Sequence, residues 1–236
     1  ISQDVALEKV AFLKEWKSTN SEVPAIPELQ KPQETKIYLV DKPYASQSTI
    51  WAGHPSLKYD YNGDYFKSTV MNYSLGGAFN SRINMNLRED KGYTYGARSG
   101  FSGNKNYGVY RFSSEIKKEA TDSAITELMK EIKNFRENGI TEEELAFTKS
   151  SVTLSEALRY ETPSQKLSFL SRIAEYNLPS DYTAQQAKMI NAMTKADVDA
   201  MAKKYLKPEN TVIIVVGHAY KIREGLENLG YGKIEE

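Results

Sequence analysis

Residues 74–99 read SLGGAFNSRINMNLREDKGYTYGARS. The paired Gly76 and Gly77 open a short amphipathic helix, predicted over Ala78 to Arg88, with Phe79, Ile83 and Leu87 along one stripe. Gly92 supplies a turn, and the tyrosine-rich chain beyond it reads as a strand. A guanidinium (Arg88) and a phenol (Tyr95) thus fall seven residues apart on two different elements. Both groups can donate to one peptide carbonyl, and more strongly if charge develops on its oxygen. They suit gripping a peptide better than breaking a bond. The alternative for the same pair is a surface arginine and a packed tyrosine.

Upstream, TKIYLVDK alternates with Ile37 and Leu39 on one side, and SQSTIWAG reads as a second strand. A helix is predicted over Asp60 to Ser74, with Phe66, Val70 and Tyr73 at helical spacing. Downstream, TYGARSGFSG and YGVYRFSSEI read as antiparallel neighbours joined by the turn Gly103-Asn104-Lys105-Asn106. The second half is mostly helical. Asp122 to Asn138 places Ile125, Leu128, Met129, Ile132 and Phe135 on one face and stops at Gly139. Thr141 to Glu144 forms a capping-box pattern for a helix reaching about Tyr160. Pro163 opens another, with Leu167, Leu170, Ile173 and Ala174 on one face over 164–177. Thr194-Lys-Ala-Asp197 opens a helix through Tyr205, TVIIVVG is a central strand, and a last helix holds Ile222, Leu226 and Leu229.

Paired strands separated by groups of helices predict an α+β two-layer sandwich rather than a regular βαβ wind. Residues 4–17 read as an amphipathic helix, followed by the proline-bearing TNSEVPAIPELQKPQET. The expected organisation is therefore 1–18 as a helix closing a preceding domain, 19–34 as a linker, and 35–236 as the main domain.

Lys plus Arg and Asp plus Glu number 31 each, so no long-range field favours nucleic acid or anionic lipid. The absence of cysteine excludes disulfides, thiolate nucleophiles and thiolate metal sites, and leaves the compartment open. No apolar run approaches the roughly 20 residues that span a bilayer. Zinc catalysis commonly needs about three side-chain ligands, and this chain offers only His54 and His218, neither with a second histidine one helical turn away. No G-x-S-x-G elbow occurs. Glu89-Asp90 and Glu142-Glu143-Glu144 read as a helix end and a helix start. Gly76-Gly77 lacks the flanking pattern of a phosphate loop and reads as a tight turn with close backbone approach. Tyr93, Tyr95, Tyr107 and Tyr110 read mostly as cross-strand packing.

The stretch LGGAFNSRINMNLREDKGYTYG resembles the signature of the non-catalytic half of M16 zinc peptidases, the pitrilysin, insulin-degrading and mitochondrial-processing peptidase family. That signature runs roughly L-G-G-x-x-x-S-R-[LI]-x-x-x-L-R-E-x-x-G-[LY]-x-Y. KIYLVDKPYASQSTIWAGHPS, NGITEEELAFTKSSVTLSEAL and TKADVDAMAKKYLKPENTVIIVVG are similar to further parts of the same half, so the resemblance covers about Thr35 to Glu236. It implies a two-layer sandwich with a mixed, mainly antiparallel sheet and helices on one face. It implies that Arg88 and Tyr95 contact a peptide substrate near the scissile bond, with Tyr93 as the second choice of phenol. In the family H-x-x-E-H and a downstream Glu bind zinc in a separate half, and H-x-x-E-H occurs nowhere here. The resemblance therefore implies no catalytic or metal-binding residue in this chain. Zinc, and the cutting step, fall to a same-fold partner half, covalently upstream or in another subunit. The competing reading is a non-enzymatic M16-like assembly subunit. Bacterial relatives are often exported to the cell envelope, so the resemblance points there without the composition requiring it. His218 stands in VVGHAY where relatives often carry an acidic residue.

Overall fold

Period-two burial along five segments builds one sheet. In β1 (Lys36–Asp41) Ile37 and Leu39 are buried, and in β2 (Gln47–Pro55) Ser48, Ile50, Ala52 and His54 are. β3 (Thr94–Gly103), β4 (Gly108–Lys117) and β5 (Val212–Gly217) send Ala97, Phe101, Tyr110, Phe112, Ile116, Ile213 and Val215 into the same core. The computed structural model describes the chain except residues 18, 20, 23, 158, 159 and 236 and the side chains of 156 and 157.

The strand order is β1-β5-β2-β4-β3. β5 runs parallel to β1 and antiparallel to β2, and the β2–β4 and β4–β3 pairs are antiparallel. The sheet is thus mixed and mainly antiparallel, as the family resemblance implies. The β3–β4 connection is closed by Asn104, whose side chain accepts from the Asn106 and Tyr107 N–H groups at 2.8 and 3.0 Å.

Helices cover one face. α2 (Asp64–Asn72) and α4 (Thr121–Asn138) supply much of the second layer, and α4 buries Ile125, Leu128, Met129, Ile132 and Phe135 along its predicted stripe. α4 ends at Gly139 with φ 73, a left-handed value that glycine takes without a Cβ penalty. α5 (Glu142–Ala157) begins with the predicted cap, in which the Glu144 N–H donates to Thr141 at 3.1 Å and the Thr141 N–H donates back to Glu144 at 2.8 Å. Its expected continuation towards Tyr160 crosses residues outside those described. α8 (Lys195–Tyr205) carries a full capping box from Thr194 and Asp197. α9 (Ala219–Glu227) buries Ile222 and Leu226.

Four elements differ from the pattern. The helix expected over 4–17 divides at Val10 into α1 (Gln3–Lys9) and a 3₁₀ segment (Ala11–Glu15), and neither buries a residue. α3 (Arg82–Asn84) starts four residues later than predicted, because Ala78–Ser81 is still non-helical. α6 (Pro163–Tyr176) has no buried residue, and Leu167 and Leu170 are 64% and 58% exposed. α7 (Tyr182–Ala192) has no counterpart in the reading, since its sequence YTAQQAKMINA offers only Tyr182 and Ile190 to the core. No helix among the described residues is long and apolar enough to cross a membrane.

Candidate functional site

The segment carrying Arg88 is wound more widely than an α-helix. α3 passes into a π-helical turn over Met85–Asp90, where the Lys91 N–H donates to the Asn86 carbonyl five residues back at 2.9 Å. Such turns insert one extra residue and re-aim the side chains around it. Leu87 fills the core, and Arg88 next to it leaves the core. The chain then reverses at Gly92, with φ 63, and the Tyr93 N–H returns to the Leu87 carbonyl at 2.9 Å.

The Arg88 guanidinium lies 4.4 Å from the centre of the Phe79 ring, and its Nε stands 3.4 Å from Glu89 Oε1. Phe79 is 56% exposed. The predicted stripe therefore holds for Ile83 and Leu87 only, and Phe79 serves instead as an aromatic platform under the cation.

A β-bulge places Tyr95. The register runs from Thr94↔Ile116 to Ala97↔Ser114, so three residues of β3 advance against two of β4. Thr94 and Ala97 both point into the core, while Tyr95 and Gly96 between them both face out. Hydroxyl groups close the bulge from behind. Thr94 Oγ1 donates to the Glu115 carbonyl at 2.7 Å and accepts from the Gly96 N–H at 3.0 Å and the Ser114 hydroxyl at 2.9 Å. Tyr95 emerges 87% exposed, and its hydroxyl has no hydrogen-bond partner among the described residues.

Arg88 and Tyr95 line one cleft of about 300 Å³, together with Gln47, Glu89, Tyr93 and Lys117. Tyr93 is half-buried against the core and its backbone is committed to pairing, with its carbonyl accepting from the Lys117 N–H at 2.9 Å. Tyr95 is thus the freer phenol. Larger cavities, of about 520, 650 and 960 Å³, lie elsewhere.

The outer edge of β3 is held by side-chain amides, which the sequence did not announce. Asn84 Oδ1 accepts from the Ala97 N–H at 2.9 Å, and Asn72 Nδ2 donates to the Ser99 carbonyl at 2.7 Å while its Oδ1 accepts from the Ser99 hydroxyl at 2.8 Å. Gly76 lies against this network, and a Cβ there would stand 2.1 Å from Ser99 Oγ. The glycine pair is accordingly a close-approach turn, π-helical over Tyr73–Gly77.

Arg82, the other arginine of the motif, is fully committed. It grips Glu144 with Nε and Nη2 at 2.6 and 2.7 Å, donates to the Gly139 carbonyl at 2.9 Å and covers the Phe135 ring. Burial pushes the Glu144 carboxyl up, but the hydrogen bonds from Arg82 and Thr141 outweigh it and hold it below its usual range.

The histidines are apart and differently used. His54 Nε2 accepts from the Lys207 N–H at 3.3 Å, so its Nδ1–H faces the Pro55 carbonyl at 3.1 Å. His218 precedes α9 and its ring lies near those of Tyr44 and Tyr220. Among the described residues no three His, Cys, Asp or Glu side chains stand close enough to hold a metal ion. These residues do not fit a zinc site. Tyr110 is buried between Phe101 and His54, as the packing reading requires, and Tyr107 is 41% exposed.

Known proteins share this fold. The family described as "Peptidase M16 inactive domain" matches residues 1–152. The "Non-peptidase homolog YmxG" of Helicobacter pylori is 27% identical over 177 residues, which are 74% of this chain and 40% of that protein. Among solved structures, a peptidase M16 inactive domain from Pseudomonas fluorescens superposes with a TM-score of 0.78 at 22% identity, covering 92% of this chain and 52% of that one. A Helicobacter pylori protein described as a protease gives 0.77 at 15% identity, covering 92% and 53%. At these identities the superpositions establish the fold, and the chain spans only about half the length of these three relatives. With the matched 152 residues making up more than half of its length and the mixed five-stranded sandwich agreeing, the chain belongs to the peptidase M16 inactive-domain family.

Proposed function

We propose that this chain is the substrate-holding half of an M16-type zinc endopeptidase, with Arg88 and Tyr95 orienting the peptide beside a catalytic half that carries H-x-x-E-H. The supporting observation is the convergence of a cation and a phenol, neither spent on a strong internal partner, on one cleft. Zinc, when bound in the catalytic half, activates the water that attacks the peptide bond. This chain's share is to bind. Arg88, steadied by Phe79, and Tyr95, fixed by the bulge, donate to the peptide oxygen and stabilise negative charge as it develops there.

The test is the complete enzyme reconstituted with this half altered. Arg88→Ala or Tyr95→Phe should lower kcat/KM by about 100-fold with unfolding curves unchanged, the loss expected when an oxyanion donor is removed. Full activity in both variants would remove the assignment. Metal analysis of the isolated chain should find no stoichiometric zinc, and bound zinc would contradict the division of labour.

A second reading is a non-enzymatic M16-like subunit, and the name of the Helicobacter relative, a non-peptidase homolog, favours it. The polypeptide encoded before Ile1 or in a neighbouring reading frame separates the two. H-x-x-E-H there supports the peptidase, and its absence supports the scaffold.

A further inference from the structure

The helix-free face of the sheet is not uniform. In-register rows cross it from β5 to β3. Ile214, Trp51, Ser113 and Arg98 form one row, and Val212, Gly53, Arg111 and Gly100 form the next. The β5–β2 side is apolar, with Trp51 and Ile214 each 40% exposed. The β4–β3 side carries two arginines, Arg98 and Arg111, diagonal neighbours on the same face. Among the described residues neither pairs with a carboxylate. Arg98 Nη1 donates to the Gly77 carbonyl at 3.3 Å, and the Arg111 guanidinium lies over Trp51, 4.6 Å from the ring centre. The one acidic side chain on these strands at this face, Glu115, is engaged by the Thr49 hydroxyl at 2.8 Å.

Both in-row neighbours of Arg111 are glycines, so no side chain stands beside it along its own row and the Trp51 ring is its platform. A groove of about 650 Å³ lies above Trp51, Gly53, Arg111 and Ile214, walled on the far side by residues 29–34. Its other charged lining groups are Lys31, Glu34 and Lys36, and Lys36 is paired with Glu235. The groove is therefore largely apolar on its floor, where Arg111 is the surplus charge, since Lys31 and Glu34 offset each other and Lys36 is paired.

This groove shares its sheet face with Tyr95. Tyr95 stands out from the bulge beside Glu115, and Arg111 lies four residues further along β4, about 13 Å at the rise of an extended strand. A peptide held at the cleft and lying along the face reaches Arg111 with about four residues.

We infer that the face from Trp51 to Arg98 extends the peptide site and selects sequence: an apolar side chain seats on Trp51 and Ile214, and an acidic side chain about four residues from the gripped carbonyl is received by Arg111 and Arg98. The inference rests on the peptide-holding reading above and adds a substrate class to it. Guanidinium groups match carboxylates and phosphates, and of these the carboxylate is the one an unmodified peptide side chain carries.

The test uses the 236-residue chain carrying Trp16→Phe, which leaves Trp51 as the sole indole. Two unstructured twelve-residue peptides, identical except for Leu-Asp against Leu-Asn, are titrated at low salt and followed by Trp51 emission and by calorimetry. The Asp peptide should bind about fivefold tighter, the scale of an exposed ion pair, and added salt should erase the difference. Arg98→Ala combined with Arg111→Ala should abolish the preference, while Tyr95→Phe should weaken both peptides equally. Equal affinities in the unaltered chain, or calorimetric binding without a change in Trp51 emission, would overturn the inference while a Tyr95→Phe effect still stood for the cleft. A chain that binds neither peptide, or that buries Trp51 by pairing with a second copy, would also overturn it. Loss of the Tyr95→Phe effect together with binding would sink both readings.

Discussion

Arg82 and Arg88 stand six residues apart in one motif and have opposite fates. Arg82 spends its donors on Glu144 and Gly139, tying the start of α3 to α5. Arg88 holds only an aromatic face and one long contact to a neighbouring carboxylate. Spacing cannot separate two arginines of this kind, because the difference lies in which one meets an acidic side chain 62 positions away. The resemblance singled out Arg88; the bonding shows why it is the one left available. Gly76 is the residue on which the local geometry turns. Its missing side chain admits Ser99, whose backbone N and Cβ would both lie 2.9 Å from an added methyl group. Rotating the serine hydroxyl cannot relieve that, so the edge strand itself must move. Gly76→Ala should cost about 3 kcal/mol, the upper range for overpacking a well-filled site, read as a lower urea midpoint at unchanged slope. A loss below about 0.5 kcal/mol, the scale of an ordinary surface change, would mean that β3 is not clamped there.

At the scale of elements, β1, β2, β4 and β5 and α4, α8 and α9 were legible because alternation and the 3.6-residue stripe survive in them without interruption. The site was legible only in part. Arg88 and Tyr95 sit on the two places where the regular period is broken, a π-helical turn and a bulge. Each inserts a residue, and the helix before them starts only at Arg82, so a stripe extrapolated from Ala78 puts Phe79 in the core when it stands outside. Thr94, Ser114, Asn72 and Asn84 were missed for a related reason. Their work is to bond backbone that the irregular strand leaves unpaired, and a polar residue in a strand pattern does not declare that role. The bulge yields its own prediction. Thr94→Val keeps the volume but takes the acceptor from the Gly96 N–H and the donor from the Glu115 carbonyl, while the Ser114 hydroxyl keeps the Gly96 carbonyl. Stability should fall by about 2 kcal/mol, the cost of stranding a buried polar group, and peptide affinity should fall with it. Thr94→Ser should restore both. If Thr94→Val lowers stability and leaves peptide affinity intact, the bulge shapes the fold but does not aim Tyr95.

On the scale of the whole molecule, one sheet separates two kinds of surface. The helix-covered side carries the apolar core, and the open side carries Tyr95, Arg111, Arg98 and Trp51. His54 joins the two at the end of β2, where it is buried against Tyr110 and receives the N–H of Lys207 from the chain leading into β5. Burial pushes its imidazole below the usual 6.5, and the Lys207 charge acts in the same direction, against the Pro55 carbonyl, which favours the protonated ring. In the unfolded chain the ring takes up a proton near pH 6.5; in the folded chain it resists until the pH is lower. The unfolded state thus binds more protons across that interval, and stability must fall as the pH drops through it. Above the interval both states are neutral and His54 contributes no slope. In a His218→Gln background, which leaves one imidazole in the chain, urea unfolding should show stability flat from pH 8 to 7 and declining below about 6.5, at up to about 1.4 kcal/mol per pH unit. Glu127, Glu144 and Glu209, held low by their partners, should add a second decline as the pH falls below about 4.5. His54→Gln can still accept from Lys207 through its amide oxygen but takes up no proton, so it should erase the first decline and spare the second. A first decline that persists in that variant would show that the end of β2 is not where the fold senses acid.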